Sequence, residues 1–179
     1  MMEARQDPAD GNVTCRRVDI DGVPGEWVVA PGADPDVRLL YLHGGGFVSA
    51  SGASYLPLTA DISAEAGCAV LLADYRLAPE APFPAALEDC IRAHRWMTAS
   101  GPSGPAPARA TFVAGDSAGG GLTLATLLAL RDRAEALPQG AIAMSAFADL
   151  TLASESIRSQ AENELYMHPD CLREFVTRY

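Results

Sequence analysis

The chain has 179 residues, 49% of them hydrophobic and 20% charged, enough for one domain or slightly more with a real core. Its net charge of −10 argues against a nucleic-acid surface, because phosphate binding needs a basic patch. No apolar run approaches the roughly 20 residues of a membrane span, and the acidic start MMEARQDPAD is not a secretory signal, so no membrane span and a cytoplasmic location are expected.

Taken in chain order, 14-TCRRVDI-20 alternates apolar and charged residues, as an exposed antiparallel edge strand would. The run 26-EWVVA-30 follows, then 38-RLLYLH-43, 69-AVLLADY-75 and 111-TFVAG-115. These last three are short, apolar on both faces and bounded by Gly, Pro or Asp, which predicts buried strands of a parallel sheet covered on both sides. A further strand is expected at 141-AIAMSA-146. Helices are expected over 54–66, ending at Gly67 as a C-terminal cap, over 84–99, and over 118–136, stopping before Pro138. The Gly- and Pro-dense stretch 100-SGPSGPAPA-108 predicts an exposed loop. Strands alternating with helices give an α/β class, a mostly parallel doubly wound sheet. No repeat divides the chain, so residues 1–179 are expected as a single domain, with 150–179 beginning a cap or return segment.

The four cysteines, Cys15, Cys68, Cys90 and Cys171, form no CxxC pair and read as buried free thiols rather than a disulfide or zinc framework. All 13 basic residues are Arg, which reads as coding bias rather than chemistry.

Two glycine-rich stretches carry the chemistry. In 113-VAGDSAGGG-121 a strand runs through GDSAG into a helix, the setting of a nucleophile elbow. Gly115 and Gly119 leave room for a tight turn, Ser117 stands at a helix N-terminus as candidate nucleophile, and the Ala118 N–H points toward a developing anion. In 41-YLHGGGF-47 three consecutive glycines after a buried strand imply unusual dihedrals or close backbone approach. Donating N–H groups to an oxyanion supplies that need.

The set HGGGF at 43–47, DYRLAPE at 74–80, FPAALED at 83–89 and GDSAGG at 115–120 resembles the hormone-sensitive-lipase-like (family IV) bacterial serine esterases, from about Gly22 to the end of the chain. The resemblance implies an α/β-hydrolase fold and hydrolysis of short-chain carboxylic esters, without metal or cofactor. It implies Ser117 as nucleophile, Gly45, Gly46 and Ala118 as the oxyanion hole, and His43 as an anchor of the glycine loop. Asp74 would end a strand, and Arg76 and Glu80 would form a buried ion pair.

Such folds order their triad as serine, acid, histidine. His43 and His94 precede Ser117; only His168 follows, in 166-YMHPD-170, where it reads as a helix cap. His94 reads as a packing or surface residue on its helix. Asp149 follows a strand and is weighed as an acid, with a structural role expected, while Asp116 points away from a triad role. The chain therefore reads as cut off, with its last strands absent and an apolar sheet edge open to a second copy or a complementing chain. The alternative function is a catalytically impaired fragment or a ligand-binding protein on the same scaffold.

Overall fold

The computed structural model describes the backbone of Arg5–Gln6 and residues 13–165 and 167–179. Its strands are β1 (Arg5–Gln6), β2 (Thr14–Ile20), β3 (Val23–Val29), β4 (Asp34–Leu42), β5 (Cys68–Ala73), β6 (Ser100–Gly101), β7 (Gly104–Pro105), β8 (Ala110–Asp116) and β9 (Gly140–Met144). The helices are α1 (Leu56–Ala66), α2 (Ala85–Ala99), α3 (Ser117–Asp132), α4 (Glu155–Ser159) and α5 (Pro169–Arg178), with short 3-10 turns at Gly52–Tyr55 and Ala161–Asn163.

Seven strands form one sheet in the order β1-β2-β3-β5-β4-β8-β9. Strands β1 to β3 and the β3–β5 pair run antiparallel, whereas β5, β4, β8 and β9 pair in parallel. The Thr14–Ile20 run is therefore antiparallel as read, but β1 pairs with its outer side at Cys15 and Thr14, so it is not the edge. Strands β6 and β7 form a two-residue hairpin inside the stretch expected to be a plain loop.

The continuous apolar runs have a simple cause. Leu40 and Leu42 of β4 pack on one face with Trp27, Leu71, Val113, Met97 and Leu122, beneath α2 and α3. Leu39 and Tyr41 pack on the other face with Val28, Val70 and Leu72, against Leu56 and Ile62 of α1. Side chains alternate across a strand, so a strand covered on both faces needs apolar residues at every position. Arg38 departs from the pattern. Its side chain is fully buried and donates to the carbonyls of Met97, Ala106 and Pro35, closing the C-terminal turn of α2 with a cation.

Helix ends follow local chemistry. Gly67 caps α1 at φ +62 and donates its N–H to Ser63. Helix α3 stops at Asp132, four residues short of the expected end. Glu135 N–H bonds Leu130 O and Ala134 N–H bonds Arg131 O, a Schellman closure. It is built on Ala134 at φ +54, so no glycine marked it. Cys15, Cys68 and Cys90 are buried, but Cys171 is exposed on α5, against expectation: its helix packs through Phe175 and Tyr179 instead. No described helix is long and apolar enough to cross a membrane.

Strand β9 has β8 as its partner on one side, and among the described residues its other edge is unpaired. Ile142 and Met144 there are 60% and 37% exposed.

Candidate active site

Strands β4 and β8 lie side by side, with Leu42 opposite Gly115, so the loops that leave their C-terminal ends meet. This is where an open parallel sheet places its ligands. Strand β8 turns at Asp116 directly into α3, and Ser117 takes φ +51 at the turn. A serine in the left-handed region is uncommon and costs about 1–3 kcal/mol. The packing that holds it there is tight. A Cβ on Gly119 would meet the carbonyl oxygens of Leu42 and His43 at the end of β4, and one on Gly115 would come 2.5 Å from Gly119 O. Phe147 N–H donates to Ser117 O at 2.8 Å and ties the strand-β9 loop to the elbow. Ser117 itself is half-buried.

The glycine loop is bound carbonyl by carbonyl. His43 O accepts from Tyr75 OH at 2.6 Å, Gly44 O takes the His43 Nδ1–H at 2.7 Å, and Gly45 O accepts from the Val48 and Ser49 amides and from Ser49 Oγ. Gly45 and Gly46 sit at φ +120 and +64, and Phe47 at φ +66. With the carbonyls engaged, neither Gly45 N–H nor Gly46 N–H has an acceptor among the described residues. Ala118 is buried in the first turn of α3, where backbone N–H groups lack intrahelical partners. The two motifs expected to act together thus lie together.

The histidines occupy other parts of the fold. His43 is buried and stacks on Tyr75 at 4.3 Å. Burial pushes its pKa down, partly opposed by the hydrogen bond to Gly44. It anchors the glycine loop geometrically, as expected. His94 is buried on α2, its pKa likewise pushed down by burial. His168 is the N-cap of α5 and accepts from Asp170 N–H at 3.3 Å. Asp149 accepts from Thr151 N–H and Oγ1, and these bonds hold its carboxyl below the ordinary value. It closes its own turn.

One expectation is corrected. Arg76 does not pair with Glu80, which is exposed. Its Nε and Nη2 each lie 2.8 Å from the carboxylate of buried Asp89, which also accepts the Arg76 N–H. A two-pronged guanidinium contact of this kind needs a carboxylate facing it, and α2 delivers Asp89 there. The strings DYRLAPE and FPAALED are thus clasped to each other.

Sequence reasoning missed four aromatic partners. Tyr41 and Tyr55 both donate to the Asp116 carboxylate at 3.0 Å. The ring of Phe175 fills the space where a side chain at position 46 would stand. Tyr179 stacks on Phe47 at 4.0 Å, and its hydroxyl is pushed up to about 12 by burial. Tyr41 sits two residues before His43, near the end of β4, a usable signal; nothing in the local sequence marked the other three. Next to these rings a cavity of about 580 Å³ is lined by apolar residues, including Phe47, Leu122, Phe147 and Val176. Among the described residues, no cluster of His, Cys, Asp and Glu could hold a metal ion.

Residues 39–179 match the model of a family described as alpha/beta hydrolase fold. The chain is 41% identical over 154 residues to an acetyl-hydrolase of Streptomyces hygroscopicus, covering 86% of this chain and 50% of that protein. It is 30% identical over 172 residues to an esterase of Acinetobacter venetianus, covering 96% and 55%. A crystal structure of an esterase from the bacterial hormone-sensitive lipase family superposes with a TM-score of 0.87 at 40% identity, covering 97% of this chain and 57% of that one. The chain spans about half the length of the curated relatives it matches. On this match and on the four motifs, the chain belongs to the alpha/beta hydrolase fold family, on the side of the bacterial hormone-sensitive-lipase-like esterases.

Proposed function

We propose that the chain supplies the nucleophile and oxyanion hole of a serine carboxylesterase acting on short-chain esters. The observation that carries this reading is the meeting of a left-handed Ser117 with an N–H-presenting glycine loop. In the reaction, Ser117 Oγ attacks the ester carbonyl. The tetrahedral oxyanion is held by the N–H groups of Gly45, Gly46 and Ala118 at the positive end of α3. Collapse expels the alcohol and leaves an acyl-serine, which water then hydrolyses.

Ser117 needs a general base, but His43 donates to Gly44 O, His94 is buried on α2 and His168 caps α5. The base and its acid therefore come from polypeptide other than these 179 residues, and β9 offers the edge on which a complementing strand would pair. Residues 150–179 begin a lid over the glycine loop, with Phe175 as its point of contact. The alternatives, an impaired fragment or a ligand-binding protein, leave the N–H arrangement at Gly45 and Gly46 without a use.

The test is hydrolysis of p-nitrophenyl butyrate by the isolated chain and by the chain joined to its complementing half, each with Ser117→Ala. The joined protein should turn over ester and lose roughly 10⁴–10⁶-fold on the substitution. A joined protein whose rate ignores Ser117→Ala would overturn the reading.

A further inference from the structure

The carboxylate beside the nucleophile has no place in the reaction above, yet it is among the most heavily bonded groups near Ser117. Asp116 Oδ1 accepts from Tyr41 OH at 3.0 Å and from Gly44 N–H at 3.1 Å, and Oδ2 accepts from Tyr55 OH at 3.0 Å. The Gly44 N–H is shared with the Tyr55 oxygen at 3.0 Å. All these donors are neutral, and among the described residues no cation pairs with Asp116. Close approach is built in: a Cβ on Gly44 would collide with the Asp116 carboxylate and lie 2.9 Å from Tyr55 OH. Tyr55 is itself placed by the 3-10 turn Gly52–Tyr55, whose first amide donates to Asp74.

We propose that Asp116 and Tyr55 are positioning residues that orient the oxyanion donors, on the ester-hydrolase reading given above. The geometry works through two consecutive peptide planes. Asp116 and Tyr55 draw the Gly44 N–H toward the elbow, while Tyr75 OH holds the carbonyl of the same peptide, His43 O, and His43 Nδ1–H holds the next carbonyl, Gly44 O. With the His43–Gly44 peptide clamped at both ends and the Gly44–Gly45 peptide held at its carbonyl, the N–H groups of Gly45 and Gly46 are left without an acceptor among the described residues. Because Asp116 precedes Ser117 in the chain, the same backbone turn that raises the nucleophile also aims its oxyanion hole. An asparagine fits the same space but brings an NH₂ where an acceptor is needed, so it cannot accept from Gly44, Tyr41 and Tyr55 together.

The experiment uses the complete esterase with Asp116→Asn, Tyr55→Phe and the double variant. A positioning role predicts that kcat falls roughly 10–100-fold for Asp116→Asn, as expected for a misdirected oxyanion donor, with KM within about twofold. The phenylboronic acid Ki, which reports a tetrahedral serine adduct, should rise in parallel. Tyr55→Phe should lose less, and the double variant should be no worse than Asp116→Asn by more than about twofold, because both act on one peptide. A rise in KM at constant kcat, or additive losses, would overturn the proposal. Amide NMR of the Asp116→Asn protein separates it from the ester reading. Displaced Gly45 and Gly46 amide signals support positioning whatever the wild-type protein hydrolyses; unmoved signals sink it. An inert wild type with displaced signals sinks the ester reading alone.

Discussion

Strands β4 and β9 are both apolar and both parallel to β8, one on each side of it, yet they live in different surroundings. Leu39 to Leu42 of β4 are buried, with a strand on each edge and helices on both faces. Among the described residues strand β9 has one partner, and Ala141 to Met144 are exposed. An apolar run tells which strand would be buried if neighbours were present; it does not provide the neighbours. The contrast also divides the chemistry. The elbow and the glycine loop lean on the β4–β8 centre, where every contact is doubled. The segment after β9 is held by a few rings, by Phe147 N–H donating to Ser117 O and by Phe83 N–H donating to Tyr179 O.

The harshest way to break the comparison is to wedge the centre apart. Gly119→Ala puts a methyl group against two backbone carbonyls at the end of β4, which no rotamer change can relieve. It should cost about 3 kcal/mol, read as a lowered urea midpoint. A stability within 0.5 kcal/mol of wild type would mean that α3 and β4 do not abut as described.

A second test sharpens it through pH. Burial depresses the folded-state pKa of His43 and His94 below the ordinary 6.5. The folded centre therefore refuses protons that the unfolded chain accepts. Stability is fully present above about pH 6.5 and declines as the pH falls below it, toward the depressed folded values. The carboxylates held low, Asp34, Glu135 and Asp149, lose their contribution only near and below the usual carboxylate range. Urea titrations between pH 7.5 and 5.5 should show the decline, and His94→Leu should flatten it. An unchanged slope in that variant would move the titration elsewhere.

The smallest effect on folding is expected at the rim. Ile142→Asp on β9 should change stability by no more than about 0.5 kcal/mol, yet it should suppress self-association of the isolated chain through the open edge, as read by light scattering. Equal particle mass with and without the substitution would remove β9 as an association site.

What could be read from residues alone was chemistry confined to a few neighbours. Gly67 announced the end of α1, GDSAG between an apolar strand and a helix announced the elbow, and His168 before Pro169 announced a cap. What could not be read depended on meetings across the fold. Asp89, not Glu80, reaches Arg76 because α2 carries it there, and neither carboxylate is distinguishable in the string. Tyr55 has no periodicity to mark it, and its partner is 61 residues away. Arg38 interrupts an apolar strand, and only the meeting of the Met97, Ala106 and Pro35 carbonyls around it explains why. Ala134 closes α3 where a glycine would have been visible.

The order of the sheet also bears on how the molecule is made. Strand β4 leaves the ribosome before β5 and β8, the two strands that will enclose it, so the parallel centre grows outward from its earliest-made member. The groups that shape the elbow and the glycine loop, Tyr41, Tyr55, Tyr75, Asp116 and Phe147, have all been synthesised once residue 147 is added. In a chain that folds as it emerges, the hydrogen bonds that hold the glycine loop at His43 and Gly44 can close before the Phe175 ring that later packs against Gly46 has left the ribosome.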